Sequence, residues 1–76
     1  MDAIKPLPWQ SVVKIFEAAG CVYSHTKGDH LVYHFPGALR PVVIPKYREI
    51  PVFIIRNNMR VIGLPRERYL DLAARA

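Results

Sequence analysis

Gly28-Asp29 sits between two runs that each read as a β-strand, and this short join constrains the whole chain. Cys21 to Lys27 is rich in β-branched and aromatic residues, with Val22, Tyr23 and Thr26. His30 to Phe35 alternates, placing Leu31, Tyr33 and Phe35 on one side and His30, Val32 and His34 on the other. A glycine in a two-residue loop supplies backbone angles that other residues resist, so the two strands fold back as a hairpin. Direct pairing then sets Lys27 opposite His30, His25 opposite Val32 and Tyr23 opposite His34. In that register Val22, Leu31, Tyr33 and Phe35 face inward, while Lys27, His25, His30 and His34 gather on the open face. A slip of one residue would scatter that group.

The flanking segments supply the support. From Trp9, the apolar residues Val12, Val13, Phe16 and Ala19 recur at steps of three and four, opposite Gln10, Lys14 and Glu17. This predicts an amphipathic helix, with Pro8 in its first turn and Gly20 just past its end. Residues 1–7 read as a loose lead-in. Pro36-Gly37 makes a turn, and Pro41-Val42-Val43-Ile44-Pro45 is a third strand. Its prolines cannot donate to a ladder, which assigns it to a sheet edge. Val52-Phe53-Ile54-Ile55 has strand propensity, yet Val52, Ile55, Met59 and Ile62 keep helical spacing after Pro51, and Gly63 closes the run. Periodicity outranks propensity, so this is a helix. Pro65 opens a last short helix, with Tyr69, Leu72 and Ala73 packing back. The order helix, three-stranded meander, helix, short helix is an α+β domain with its helices on one sheet face. It resembles the double-stranded-RNA-binding fold.

Seventy-six residues suit one domain, 1–76. The longest apolar run, Val52 to Ile55, is far short of the roughly 18 residues that suggest a membrane span. Met1 to Lys5 lacks the apolar stretch of a signal peptide, so the cytoplasm is expected. The lone Cys21 cannot form an internal disulfide, and no Cys/His cluster has zinc spacing. No metal or other cofactor is expected. The net charge of +5 suits a polyanionic partner, although charge alone identifies none.

The chemistry lies in where the charged residues fall. Imidazole titrates near neutrality, and RNA carries its own nucleophile in the 2′-hydroxyl. Strand cleavage therefore needs a base, an acid and cations on the phosphate, with no metal. His30, with Lys27 opposite to meet a phosphate, is the candidate, and His25 and His34 are possible acid–base partners. Isolated strand histidines are more often solvated surface residues. Lys27, Gly28, Arg40, Lys46, Arg48, Arg56 and Arg60 form the candidate phosphate track, with Tyr47 available to stack on a base. The bland alternative is a solvated basic face.

Taken in order, Gly20-Cys21-Val22, Lys27-Gly28-Asp29-His30-x-x-Tyr33, Pro36-Gly37, Val42-Val43-Ile44-Pro45 and Ile55 through Gly63-Leu64 resemble the HicA (YcfA-like) toxins of bacterial toxin–antitoxin systems. The resemblance runs from about Trp9 to Leu72. It implies a metal-independent mRNA interferase of double-stranded-RNA-binding-like fold, a monomer when free. Its catalytic histidine maps to His30, and its partners would be mRNA and a HicB-like antitoxin covering the active face. Three features depart from the family pattern. Asp29 replaces a serine, and its charge can either favour a charged imidazole or repel phosphate. Tyr47 stands where a second histidine often occurs. Val52-Phe53 replaces a Gly-Thr at the start of the second helix. Two other readings of the same face are a non-catalytic RNA-binding module and a domain that binds an acidic protein.

Overall fold

In the computed structural model, which describes residues 3–76, each helix begins directly after a proline. The elements are α1 (Trp9–Ala18), β1 (Val22–Lys27), β2 (His30–His34), β3 (Val42–Pro45), α2 (Val52–Ile62) and α3 (Arg66–Arg75). Pro8, Pro51 and Pro65 occupy N-cap positions with ψ of 150°, 154° and 155°, so Pro8 lies one residue before the first-turn position expected for it. The extended ψ still lets each proline carbonyl accept a first helical bond, from Val12, Ile55 and Tyr69 respectively.

Both α1 and α2 end in the same hydrogen-bonded motif. Cys21 N–H donates to the Phe16 carbonyl at 2.9 Å and Gly20 N–H to that of Glu17 at 3.0 Å. Leu64 and Gly63 repeat the pattern onto Met59 and Arg60. This is the Schellman arrangement, and the residue after each glycine, Cys21 or Leu64, belongs to the same buried cluster as the helix residue it bonds, Phe16 or Met59. Gly20 has φ +112°, and a Cβ there would meet the Phe35 ring at 3.2 Å, so both conformation and space select glycine. Cys21 is buried, which pushes its thiol up to about 11.

The sheet is antiparallel in the order β1-β2-β3, which makes β3 an edge as its prolines require. Near the turn the register is the expected one, with Lys27 opposite His30 and His25 opposite Val32. Farther along, Tyr23 faces Tyr33 and Val22 faces His34. The expected pairing of Tyr23 with His34 is therefore wrong by one residue. The cause is a β-bulge between Tyr23 and His25, which inserts Ser24 as an extra residue. Its consequence is an exchange of faces. Val22, expected inside, lies on the open side and is 62% exposed. Tyr23 turns to the helix side, meeting the Tyr33 ring edge-on at 5.6 Å and sharing a 2.6 Å hydrogen bond with the Thr26 hydroxyl.

One core fills the space between the sheet and the helices. Leu31 pairs with Ile44 and Tyr33 with Val42, and all four are buried with Val12, Ile15, Phe16, Ile55, Met59 and Tyr69. Phe16 and Tyr69 join α1 to α3, their rings 6.4 Å apart. The lead-in is less loose than expected. Leu7 exchanges two backbone hydrogen bonds with Ile50, at 3.3 and 2.6 Å, and Ile4 and Leu7 pack against the core. Met1 and Asp2 lie outside the described residues.

Two part-buried polar contacts carry predictions. Asn58, the buried polar residue of α2, donates from Nδ2 to the Val43 carbonyl at 3.0 Å and so covers part of the β3 edge. Asn58→Ala leaves that carbonyl unpaired and should cost about 1–3 kcal/mol, read from the urea midpoint. Tyr33 donates its hydroxyl to Glu17 Oε2 at 2.9 Å. Burial first, then the Glu17 hydrogen bond and charge, push its phenol up to about 12. The folded protein therefore holds this proton where the unfolded chain, near 10, has released it. The stabilisation is fully present below pH ~10 and is lost as pH rises toward 12. Tyr33→Phe should flatten that part of the stability-versus-pH curve.

Candidate active site at the hairpin turn

Three backbone segments meet at the turn. Gly28 has φ +60° and Asp29 has negative φ, the type II′ pattern with glycine in the first central position. The Asp29 carbonyl accepts the Lys46 N–H at 2.8 Å, tying the turn to the loop between β3 and α2. That loop is in turn held to the start of α1. Trp9 N–H donates to the Tyr47 carbonyl at 3.3 Å, and Lys46 Nζ stands 5.5 Å from the centre of the Trp9 ring. Lys46 thus spends its cationic head partly on an aromatic face, a contact typically worth about 0.5–1 kcal/mol at an exposed site.

His30 sits at the centre of this junction. Its Nδ1 lies 2.8 Å from Asp29 Oδ1, and its ring meets that of Tyr47 edge-on with centroids 6.5 Å apart. The His30 side chain is 46% exposed and that of Asp29 66%, so the pair is open to a large ligand. Lys27, directly across the hairpin, presents its side chain on the same sheet face. Arg48 follows Tyr47 in the adjoining loop and is exposed. The turn therefore brings together a hydrogen-bonded imidazole, an aromatic ring and several cations. That combination can exchange a proton and attract a phosphate.

The other candidates are spread more widely. His25 shares the open face, and its Nδ1 lies 3.0 Å from the neighbouring Ser24 Oγ. His34 is opposite Val22 at the far end of the hairpin. Arg40 lies in the loop after β2, beyond a strand that carries the chain roughly 13 Å from the turn. Arg56 and Arg60 are each two residues from Asn58, which faces β3, so the helical repeat turns both away from that strand. They border a shallow groove with Arg66, Met59 and Leu64, and Arg60 donates to Asn57 Oδ1 at 3.0 Å. Glycine and histidine were visible in the sequence as the makings of a turn site, but the direction of the Asp29 carboxylate was not. Nor was the bracing of the loop through Trp9, which no local pattern signals.

Among the described residues, no group of three or more His, Cys, Asp or Glu side chains could hold a metal ion, and no helix is long and apolar enough to cross a membrane. The search of curated proteins gives no match. The family model described as the HicA toxin of bacterial toxin–antitoxin matches residues 9–64, which spans α1 through the end of α2 and includes the whole turn site. With most of its length matched and the helix, three-stranded sheet and helices in the order that the resemblance implied, this chain belongs to the HicA toxin family, the toxins of bacterial toxin–antitoxin pairs.

Proposed function

We propose that the protein is a metal-independent endoribonuclease toxin that cleaves mRNA in the cytoplasm, with His30 as its catalytic residue. The observation that carries this reading is the placement of His30 in a half-exposed turn, beside Asp29 and Tyr47 and across from Lys27. In the reaction, the 2′-hydroxyl of the RNA loses its proton and its oxygen attacks the adjacent phosphorus. The bond from phosphorus to the 5′-oxygen breaks, and that oxygen takes up a proton. Lys27, Gly28, Lys46 and Arg48 hold the scissile phosphate. Arg40, Arg56 and Arg60 meet phosphates farther along the strand, and Tyr47 stacks on a base. His25 is an auxiliary group on the same face. A HicB-like antitoxin silences the protein by covering this face, and the free toxin is a monomer.

The test is induced expression of the protein, followed by assay of the purified chain on mRNA in EDTA. Growth arrest and RNA cleavage in the chelator support the reading, as does the absence of cleavage on DNA of the same sequence. Salt-sensitive RNA binding without cleavage would instead mark a non-catalytic RNA-binding module. Tight binding to an acidic protein with no RNA binding would mark an interaction domain.

A further inference from the structure

Asp29 occupies the position where the family pattern carries serine, and its carboxylate lies within hydrogen-bond reach of the His30 ring. The separation of 2.8 Å between Oδ1 and Nδ1 is a hydrogen-bond length, and a carboxylate oxygen can only accept. Nδ1 must therefore carry the proton. In a neutral imidazole only one nitrogen does so, which leaves Nε2 with its lone pair. The ring is also limited in how it can turn. Tyr47 stands edge-on against it, and the Asp29 backbone is fixed by the Lys46 N–H at 2.8 Å.

We infer that Asp29 is a positioning residue that selects the Nδ1–H tautomer of His30, so that His30 acts through Nε2 as the general base that deprotonates the 2′-hydroxyl. This rests on the reading of the site as a ribonuclease centre and deepens it, because proximity alone leaves the acid and base roles open. An acceptor held against one imidazole nitrogen determines the chemistry of the other, as in the hydrolase triads, where the aspartate orients the histidine without itself taking the proton. The negative charge has an opposing effect, since it faces the same phosphate that Lys27 attracts. Asp29 therefore favours the chemical step at some cost in RNA binding.

Two measurements on Asp29→Ala test this. The substitution spares the fold, because the side chain is mostly exposed and the backbone carbonyl still accepts from Lys46. The first is the nitrogen-15 shift pair of the His30 imidazole in the full chain, recorded where the ring is neutral. The wild type should show Nδ1 protonated and Nε2 bare, and Asp29→Ala should shift toward the opposite tautomer. The second is RNA cleavage, in which Asp29→Ala should lower kcat by roughly 10–100-fold, as for groups that orient metal-bound histidines and less than for a buried triad aspartate, because Asp29 is mostly exposed, while KM stays level or falls. An unchanged tautomer would overturn the inference. So would a kcat that holds or rises once the charge is gone. A tautomer shift in a protein that never cleaves RNA would sink the ribonuclease reading and the base role with it, while leaving the Asp29–His30 geometry standing.

Discussion

His30→Ala is expected to lower the rate of RNA cleavage by about 10²–10⁴-fold, the range that general acid–base groups supply. Growth arrest on induction should be lost with it. The size of the effect follows from the chemistry, because the 2′-hydroxyl is a poor nucleophile until its proton has somewhere to go. The substitution should leave the fold in place. The His30 side chain is half-exposed at a strand terminus, where it meets Asp29 and Tyr47. RNA binding should also survive, since Lys27, Lys46 and Arg48 are untouched. A variant that binds RNA, unfolds at the wild-type urea midpoint and does not cleave separates chemistry from scaffold. Equal toxicity of His30→Ala and wild type would remove His30 from the mechanism.

The largest expected effect on stability is at Phe16. It is fully buried, lies against Tyr69 of α3, and is the residue whose carbonyl receives the Cys21 N–H at the end of α1. Phe16→Ala should cost about 3–5 kcal/mol through lost burial and the cavity left behind. At about 0.05–0.15 kcal/mol per residue, a 76-residue domain holds roughly 4–11 kcal/mol in all. This single change therefore removes from about a quarter to all of the stability, and the urea midpoint should fall steeply or vanish. Phe53→Ala is the matched control. Phe53 is 65% exposed on the outer side of α2, so its loss should move the midpoint little. An apolar residue left exposed at the start of that helix is of no use to the isolated fold.

How much of this was legible from residues alone depends on the range of the interaction. The helices were readable because three- and four-residue spacing is a local signal, and it overruled the strand propensity of Val52 to Ile55. The hairpin was readable because Gly28 supplies the one positive φ that a type II′ turn demands. The bulge at Ser24 was not readable, since nothing in Val22-Tyr23-Ser24-His25 marks which residue is extra. It is set by Tyr23 packing on Tyr33 and reaching Thr26, a tertiary preference that overrides simple alternation. That one insertion exchanged the faces of Val22 and Tyr23 while leaving Lys27, His25 and His30 where regular pairing placed them. Asn58 was also missed, because a polar residue within an apolar stripe looks like a surface position until β3 offers it the Val43 carbonyl. The charges show the same limit. Lys27 and Lys46 lie at the turn with His30, whereas Arg40, Arg56 and Arg60 are carried elsewhere by the length of β2 and the pitch of α2.

Central to the account is that the RNA supplies the nucleophile and His30 removes its proton. The most direct measurement uses one oligoribonucleotide that the wild-type protein cleaves at a mapped bond, remade with a single 2′-deoxy substitution on the nucleotide 5′ to that bond. In EDTA, the substituted strand should bind as before and resist cleavage at that bond alone, while neighbouring cleavable bonds are cut at their usual rates. Cleavage of the substituted bond at the unmodified rate would contradict the account, because water would then be the nucleophile and the turn would have to perform a different reaction.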